Sequence, residues 1–437
     1  MKKGIILWSI VLLMIFTSGI ILAKGETEEV GRKQQLILVS GSFAQNNMTG
    51  AGMGTGRNLV EELLKEKNIE LTFFTTPSTG EQQQMLFRIG SIPNTEEDLI
   101  YVLHSMADGR ITTLLEPLNN YLSSKPLDGY PSDYSQGMLD VYTKNGKLYA
   151  IPIRAGVWNV WYNKRIFEER GLEGYPQTPE QFYEYAKKAT YTKPTGEKVF
   201  GFASRGLRWD LHEQLAIGAR MFGGDIITPD YKIVINEEPV IKFLQMYRRM
   251  YQEGIMPPNW NTMTGNDADQ LLKEGRAAMS LGSANYGPRY NDPSTSREAG
   301  NIIPVHVPLD KSLWTGERNF SDSMSFTWAI SILKGSTQKD VAWEAIRFLT
   351  EKDSSIEMAK NENAPARISV LEWQASEDPG AKIAASTFPY TRAALPPLEN
   401  GNQIIDVIGE HMENVVIHGK DAQQEMDTAA KRIAELM

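Results

Sequence analysis

The sequence predicts an α/β fold built on a parallel sheet, in a chain long enough for two domains or for one domain with two lobes. Strand-like segments at 36–40, 69–74 and 98–103 alternate with helix-like segments at 58–67 and 81–89. This alternation is typical of a parallel sheet with helices on its faces. The 437 residues exceed the usual size of a single hydrophobic core, which favours two lobes.

The first 25 residues have the pattern of an export signal. A basic start, Lys2 and Lys3, precedes an apolar run and small residues at Ala23 and Gly25, where cleavage is expected. An uncleaved membrane anchor is the alternative, because this apolar stretch could nearly span a bilayer. Residues 26–34 are predicted to be a flexible leader. The chain has no cysteine, so no lipid-anchored cysteine follows the signal and we expect a protein free in the periplasm.

The composition argues against nucleic acid as a partner and against catalysis. The net charge is −9, whereas proteins that bind nucleic acid usually carry basic patches. The five histidines are scattered, no G-x-S-x-G motif is present, and nothing singles out a catalytic pair among the 54 acidic residues. The glycine-rich loop predicted at 41–56 lacks the spacing of a phosphate-binding loop. We therefore expect neither an enzyme, nor a cofactor, nor a bound metal.

The stretch from 147 to 190 carries the clearest local signals. An apolar strand is predicted over 148–160, with Pro152 at a strand end or a bend. A short helix over 164–170 is expected to end at Gly171. Thr178 is the predicted N-cap of the next helix, with Pro179 at its first position and Gln181 completing a capping box.

Later segments extend the α/β pattern. A strand is expected at 200–202, followed by a helix over 209–222. A helix starting at Pro239 has a core-facing stripe, Val240, Phe243, Leu244, Tyr247 and Tyr251. Further predictions are a strand at 326–333, a helix from Thr337, and a final amphipathic helix that ends the chain.

Several motifs in this order closely resemble those of the family 1 extracellular solute-binding proteins of ABC importers, the group that includes the maltose-binding protein. They are Tyr149-Ala150-Ile151-Pro152, Trp161-Tyr162-Asn163-Lys164, Ile166 to Leu172, the segment LLKEGRAAMSLGS at 271–283, Asp340 to Thr350, and Ala364 to Arg367. The resemblance covers nearly everything from about residue 36 onward.

The resemblance implies a periplasmic-binding-protein fold of type II, with two lobes that are each a sheet flanked by helices and are joined by a hinge of several crossings. Ala150 to Pro152 would form the first crossing. The N-terminal lobe would comprise 35–149 plus 327–363, and the C-terminal lobe 150–326 plus 364–437.

The function implied is that of an extracytoplasmic binding protein for a solute, a mono- or oligosaccharide, which closes on its ligand as a monomer and delivers it to the permease subunits of an ABC transporter. The same fold binding a non-sugar solute, or serving as the sensing component of a chemotaxis or two-component system, is the alternative.

Candidate ligand-binding residues come from predicted strand ends, from the hinge and from segments that the resemblance places at the cleft. Aromatic rings can cover the apolar face of a sugar, while polar side chains satisfy its hydroxyl groups. Ordinary packing is the alternative role of each ring. At Ala284 the sequence departs from relatives, which often carry a stacking Trp there. The candidates are Ser42, Phe43, Gln45, His104, Ser105, Arg154, Trp158, Trp209, His212, Glu213, Asn285, Tyr286, Trp314, Asp322 and Arg367.

Overall fold

Two long strands, residues 151–163 and 323–332, connect the two halves of the molecule. The structure is a computed structural model that describes residues 33–51, 55–77, 79–377 and 379–437. The predicted export signal and most of the predicted leader lie outside the described residues. The strands are β1 (Gln34–Gly41), β2 (Ile69–Thr76), β3 (Leu99–Leu103), β4 (Thr143–Lys144), β5 (Lys147–Leu148), β6 (Ile151–Asn163), β7 (Tyr191–Thr192), β8 (Lys198–Val199), β9 (Met279–Ser283), β10 (Ile302–Val305), β11 (Ser323–Ile332) and β12 (Thr391–Arg392).

Helices surround these strands. They are α1 (Ser42–Thr49), α2 (Leu59–Lys67), α3 (Thr79–Gly90), α4 (Ile111–Leu114), α5 (Asn119–Ser124), α6 (Gln136–Val141), α7 (Lys164–Glu169), α8 (Pro179–Lys188), α9 (Leu211–Met221), α10 (Glu238–Gln252), α11 (Gly265–Lys273), α12 (Gly287–Tyr290), α13 (Lys339–Thr350), α14 (Lys352–Lys360), α15 (Ile368–Glu377), α16 (Pro379–Thr387), α17 (Gly401–Val416) and α18 (Ala422–Leu436). Short 3₁₀ turns at His104–Met106, Arg208–Asp210 and Ala284–Tyr286 matter for the site.

The main sheet is mixed. Its strand order is β10-β6-β11-β3-β1-β2, with β9 also paired to β6 and β12 to β11. The predicted parallel pairing holds for β1 with β2 and β3, whereas β11 runs antiparallel to both β3 and β6. The sheet is therefore continuous, and β6 and β11 join the strands β1, β2 and β3 at one end to β10 at the other.

Two large hydrophobic cores flank this pair of strands. We call the part built on β1, β2 and β3 the first lobe and the part built on α9, α10 and α17 the second lobe. Along β6, Ile153 belongs to the first core and Trp158 to the second. Between them, Ala155 and Val157 join a separate small cluster with Met138. The crossing between cores therefore occupies residues 154–157 of β6. The lobe boundaries given above stay a prediction.

Local capping follows the sequence closely. Thr178 Oγ1 accepts a hydrogen bond from the Gln181 N–H at 3.2 Å, and Pro179 begins α8 as predicted. The Gln181 side chain instead accepts from the N–H of Gln177, one residue before the cap. Gly171 follows α7 with a positive φ of 61°, which glycine adopts without a steric penalty. The stripe of α10 is buried as expected, apart from its last ring, which is partly buried.

Three predicted elements are wrong in detail. The loop expected from residue 41 begins instead with α1, because Ala44 and Met48 are buried in the first core and fix this segment as a helix. The strand expected at 200–202 is reduced to two isolated bridges, at Phe200 and at Ala203. The apolar run from 148 is divided between two strands. Leu148 belongs to β5, which forms a hairpin with β4, and β6 begins only at Ile151.

Candidate functional site

The crossing strands have two faces with different chemistry. Side chains alternate across a strand, so Arg154 and Phe326 take one face, and the guanidinium carbon of Arg154 lies 5.7 Å from the Phe326 ring centre. A Cβ at Gly156 would lie 2.2 Å from the same ring. Glycine is therefore what allows Phe326 to lie across β6. We call this side the cleft face.

Arg154 is held on the cleft face by residues of the first lobe. Its Nη1 donates to Oδ1 of Asn47 at 2.9 Å and to Oδ1 of Asn363 at 3.2 Å. Its guanidinium carbon lies 5.2 Å from the ring centre of Phe43, the second residue of α1. Burial lowers the pKa of Arg154. No carboxylate among the described residues lies within salt-bridge distance, so donors of this guanidinium remain for a ligand.

Arg205 of the second lobe approaches the same region. Its guanidinium carbon lies 4.4 Å from the ring centre of Trp158. Its Nη1 reaches Asp210 at 3.4 Å and Glu213 at 3.5 Å. Burial opposes the charge of Arg205, but Glu213, Tyr286 and Asp210 raise its pKa above the ordinary value. Burial also raises the pKa of both carboxyl groups. These long contacts leave an arginine and two acids available to hydroxyl groups.

The turn after β9 carries Tyr286. The guanidinium carbon of Arg289 lies 3.5 Å from the Tyr286 ring centre, and Asp269 binds that arginine at 2.6 Å. Asn285 donates through Nδ2 to the backbone carbonyl of Glu362 at 3.3 Å. This hydrogen bond joins the second lobe to the segment that follows α14.

Two histidines from different lobes lie beside this group. His104 Nδ1 accepts from the Thr327 N–H at 3.2 Å, whereas His212 Nδ1 lies 2.7 Å from the Trp209 carbonyl, which only accepts. Burial lowers the pKa of each to about 4, and His212 adds to the effect on His104. Both are therefore neutral at pH 7, and the Nε2 atom is a donor in His104 and an acceptor in His212.

Trp209 has the most exposed indole ring close to the cluster. It lies in the 3₁₀ turn before α9, is 46% exposed, and its ring is 6.3 Å from that of His212. Trp158, by contrast, is 2% exposed in the second core. Of the rings expected to stack on a ligand, Trp209 is exposed and accessible to one, whereas Trp158 is buried and contacts Arg205.

Hydrogen bonds also join the lobes at a distance from this cluster. Arg110 donates through Nη2 to the carbonyl of Glu399 at 3.1 Å. Asn402, at the start of α17, donates to Gln83 of α3 at 3.0 Å. The described lobes therefore contact each other across the cleft in this structure.

The remaining predicted site residues take different positions, and their role in binding stays a prediction. Trp314 donates through Nε1 to the Leu309 carbonyl at 2.9 Å. Asp322, the residue before β11, pairs with Arg392. Arg367 is buried and binds Asp133 at 2.6 Å, which ties the segment between α14 and α15 to the first lobe. Ser42 and Gln45 lie in the first turn of α1, and Ser105 lies in the 3₁₀ turn after β3.

Sequence reasoning missed several residues that the structure brings to the cleft. These are Asn47, Arg205, Arg289, Phe326 and Asn363. Polar residues in loops and helix starts are too common for their type alone to identify them. One signal was available in the sequence, namely a side chain near the carboxyl end of a predicted parallel strand, where such sheets bind ligands. Phe74 has this position in β2, and the structure shows that it is exposed.

The described residues contain no group of acids and histidines that could hold a metal ion. None of the helices in that part of the chain is both long and apolar enough to cross a membrane. The arrangement is instead one of guanidinium groups, carboxyl groups, neutral imidazoles and aromatic rings supplied by both lobes. Such a set of groups defines a two-lobe binding protein for a polar small molecule.

Comparison with known proteins agrees with this class. The family of bacterial extracellular solute-binding proteins matches residues 50–355, and the chain belongs to that family. A protein of Brucella abortus (strain 2308) described as a binding protein is 24% identical over 325 residues, which are 72% of this chain and 75% of the relative.

Two solved structures have the same fold. The maltose-bound MalE3 of T. maritima has a TM-score of 0.75 and 18% identity, with 92% of this chain and 100% of that chain covered. A solute-binding protein of an ABC transporter from Agrobacterium radiobacter K84, in complex with ribitol, has a TM-score of 0.76 and 20% identity. This match covers 92% of the present chain and 99% of the Agrobacterium chain. The expected fold is thus confirmed.

Proposed function

We propose that this protein binds a carbohydrate or a sugar alcohol outside the cytoplasm and delivers it to the permease of an ABC importer. The observation that carries the proposal is that Arg154, on the crossing strand and held by residues of the first lobe, and Arg205 and Glu213 of the second lobe all lie next to aromatic rings or to each other. A polyol presents several hydroxyl groups that need donors and acceptors at once. Maltose and ribitol in the two related structures support this class of solute.

Lobe closure is the mechanism that the arrangement supports. A solute held between Arg154 and Arg205 contacts both lobes only when these are together, so it stabilises the closed arrangement by that difference in affinity. A Kd of about 1 μM corresponds to about −8 kcal/mol, and moving a two-state equilibrium from 1:99 to 99:1 needs only about 5.5 kcal/mol of difference. Ordinary affinity is sufficient for a nearly complete switch.

The finer expectations belong to the same proposal. The protein acts as a monomer in the periplasm, the closed form docks on the permease subunits, and no covalent chemistry takes place in the cleft. The family and the fold, both of binding proteins, support this assignment.

The test is a binding screen with purified protein. Thermal shift followed by calorimetry should find a sugar or polyol among maltose, glucose, ribitol and mannitol, with amino acids and polyamines as the competing classes. Arg154→Gln should weaken the binding of that solute, whereas Lys147→Gln, on an exposed hairpin, should not. Binding only of an amino acid or a polyamine would contradict the sugar assignment. Turnover of the bound solute, followed by chromatography, would contradict the binding function.

A further inference from the structure

A second cavity lies on the other side of the crossing strands. It encloses about 320 Å³, and both Ser325 and Thr327 of β11 line it. These residues alternate with Phe326, which faces Arg154, so this hinge cavity and the cleft cluster lie on opposite faces of β11. His104 lines the hinge cavity as well, whereas Arg154, Arg205 and Glu213, which carry the proposed solute-binding function, do not.

Its walls come from both lobes. Met138, Val141 and Lys144 of the first lobe face Arg220 and Leu395 of the second. A molecule that fills the cavity therefore contacts both lobes together. The volume is at the lower end of the range of about 300–1,000 Å³ that is typical of small-molecule sites.

Arg220 provides a buried donor that is not satisfied. The residue is 3% exposed, and its terminal nitrogens donate to the carbonyls of Ser323 at 3.0 Å and Ala393 at 2.6 Å. Its Nε, by contrast, has no hydrogen-bond partner among the described residues. Leaving a buried polar group without a partner is unfavourable, and more so for a charged one.

Lys144 provides a cation without a counterion. Its Nζ donates to the Val141 carbonyl at 2.9 Å, and no described carboxylate lies within salt-bridge distance. Burial lowers the pKa of Lys144. Of the carboxylates that line the cavity, Asp225 binds Arg220 and Arg392, whereas the exposed Asp140 accepts from the neutral amide of Gln136. Among the lining cations, Lys144 is therefore the one that an added anion would pair.

The rest of the lining is apolar. Met138, Val141, Ile227 and Leu395 contribute aliphatic surface, together with three prolines. A simple inorganic anion would leave this surface uncovered, whereas an anion with an apolar body would bury it.

We propose that the hinge cavity binds a small organic acid, with its carboxylate between Lys144 and Arg220 and its apolar body against Met138 and Ile227. Because the two walls belong to different lobes, the acid favours the arrangement in which the lobes are in contact. By linkage, it then raises the affinity of the cleft for any solute that favours the same arrangement.

Benzoate is the probe, and benzamide is its neutral counterpart of the same shape. Calorimetry on the full chain without any sugar should detect benzoate binding and much weaker binding of benzamide. Lys144→Gln should weaken benzoate binding by about 10- to 100-fold, the effect of losing a charge-assisted hydrogen bond. Lys147→Gln is the matched control, because Lys147 pairs with Lys144 in the β4–β5 hairpin but is exposed.

The outcomes separate this site from the cleft. Lys144→Met, which keeps the length of the side chain without its charge, should behave like Lys144→Gln, and thermal unfolding should show both variants folded. Small-angle scattering should show that benzoate makes the chain more compact, independently of any sugar. The proposal is overturned if benzoate does not bind at ~10 mM, where even weak affinities of about −3 kcal/mol register. It is also overturned if benzamide binds equally well, or if Lys147→Gln loses benzoate binding as much as Lys144→Gln does.

Discussion

Replacing Trp209 by alanine separates a ring that covers a solute from rings that hold the fold together. A Trp side chain buries about 150–250 Å² when it is fully covered. Because 46% of Trp209 is exposed, about 70–115 Å² remain for a solute to cover, an estimate on the same scale. At about 25 cal/mol per Å² this area is worth about 1.7–2.9 kcal/mol, which corresponds to about 15- to 120-fold in Kd.

The assay compares three Trp→Ala variants by calorimetry with the best solute and by thermal unfolding without it. Trp209→Ala should lose affinity with little change in stability. Trp158→Ala should lose about 3–5 kcal/mol of unfolding free energy, the usual result for a buried Trp, because Trp158 is 2% exposed. Trp314→Ala, whose indole binds the Leu309 carbonyl away from the cleft, should bind the solute normally. Parental affinity in Trp209→Ala would refute the proposed cleft.

The other predictions concern acid stability, packing at the crossing, and processing. Burial lowers the pKa of His104 and His212 to about 4 from 6.5, so the unfolded chain takes up these protons first. The free energy of unfolding should therefore be highest above pH 6.5 and fall as the pH is lowered towards 4, and the double variant to Gln should show a smaller fall in denaturant titrations. Gly156→Ala should destabilise the protein by about 1–3 kcal/mol through overpacking, because its Cβ would meet the Phe326 ring at 2.2 Å. Adding Phe326→Leu should recover part of that loss in the same titration. The exported protein should begin near residue 24 or 26, and an intact Met1 by mass spectrometry would indicate an anchor.

Local chemistry allowed much of the secondary structure to be predicted. The Thr178 cap, the glycine after α7 and the buried stripe of α10 depend on residues within one or two turns of each other. The segment after β1 could not be predicted in this way. It forms α1 because of burial against the first core, together with a hydrogen bond from Asn361 to the Asn47 carbonyl at 3.1 Å, contacts that lie far apart in sequence.

The candidate site shows the same division. The sequence predicted Arg154, Tyr286 and Trp209 as cleft residues. The structure shows Arg154 beside Phe43, Tyr286 beside Arg289, and Trp209 exposed, and their contact with a solute stays a prediction. It could not indicate that Trp158 would be buried, because a ring at the end of a crossing strand is exposed or covered according to what packs on it. Arg205 covers that ring, and nothing in its local sequence predicts this contact.

The sequence by itself determined the family and many of the strands and helices, since periodicity, caps and family motifs are local properties of the chain. Only the tertiary structure decided which face of β6 and β11 each side chain takes. That choice depends on the register of the two strands and on Gly156, which admits Phe326. Phe326 of β11 takes the same face as Arg154, in the cleft. Its neighbour Thr327 lines the hinge cavity, because neighbouring positions of a strand point to opposite sides.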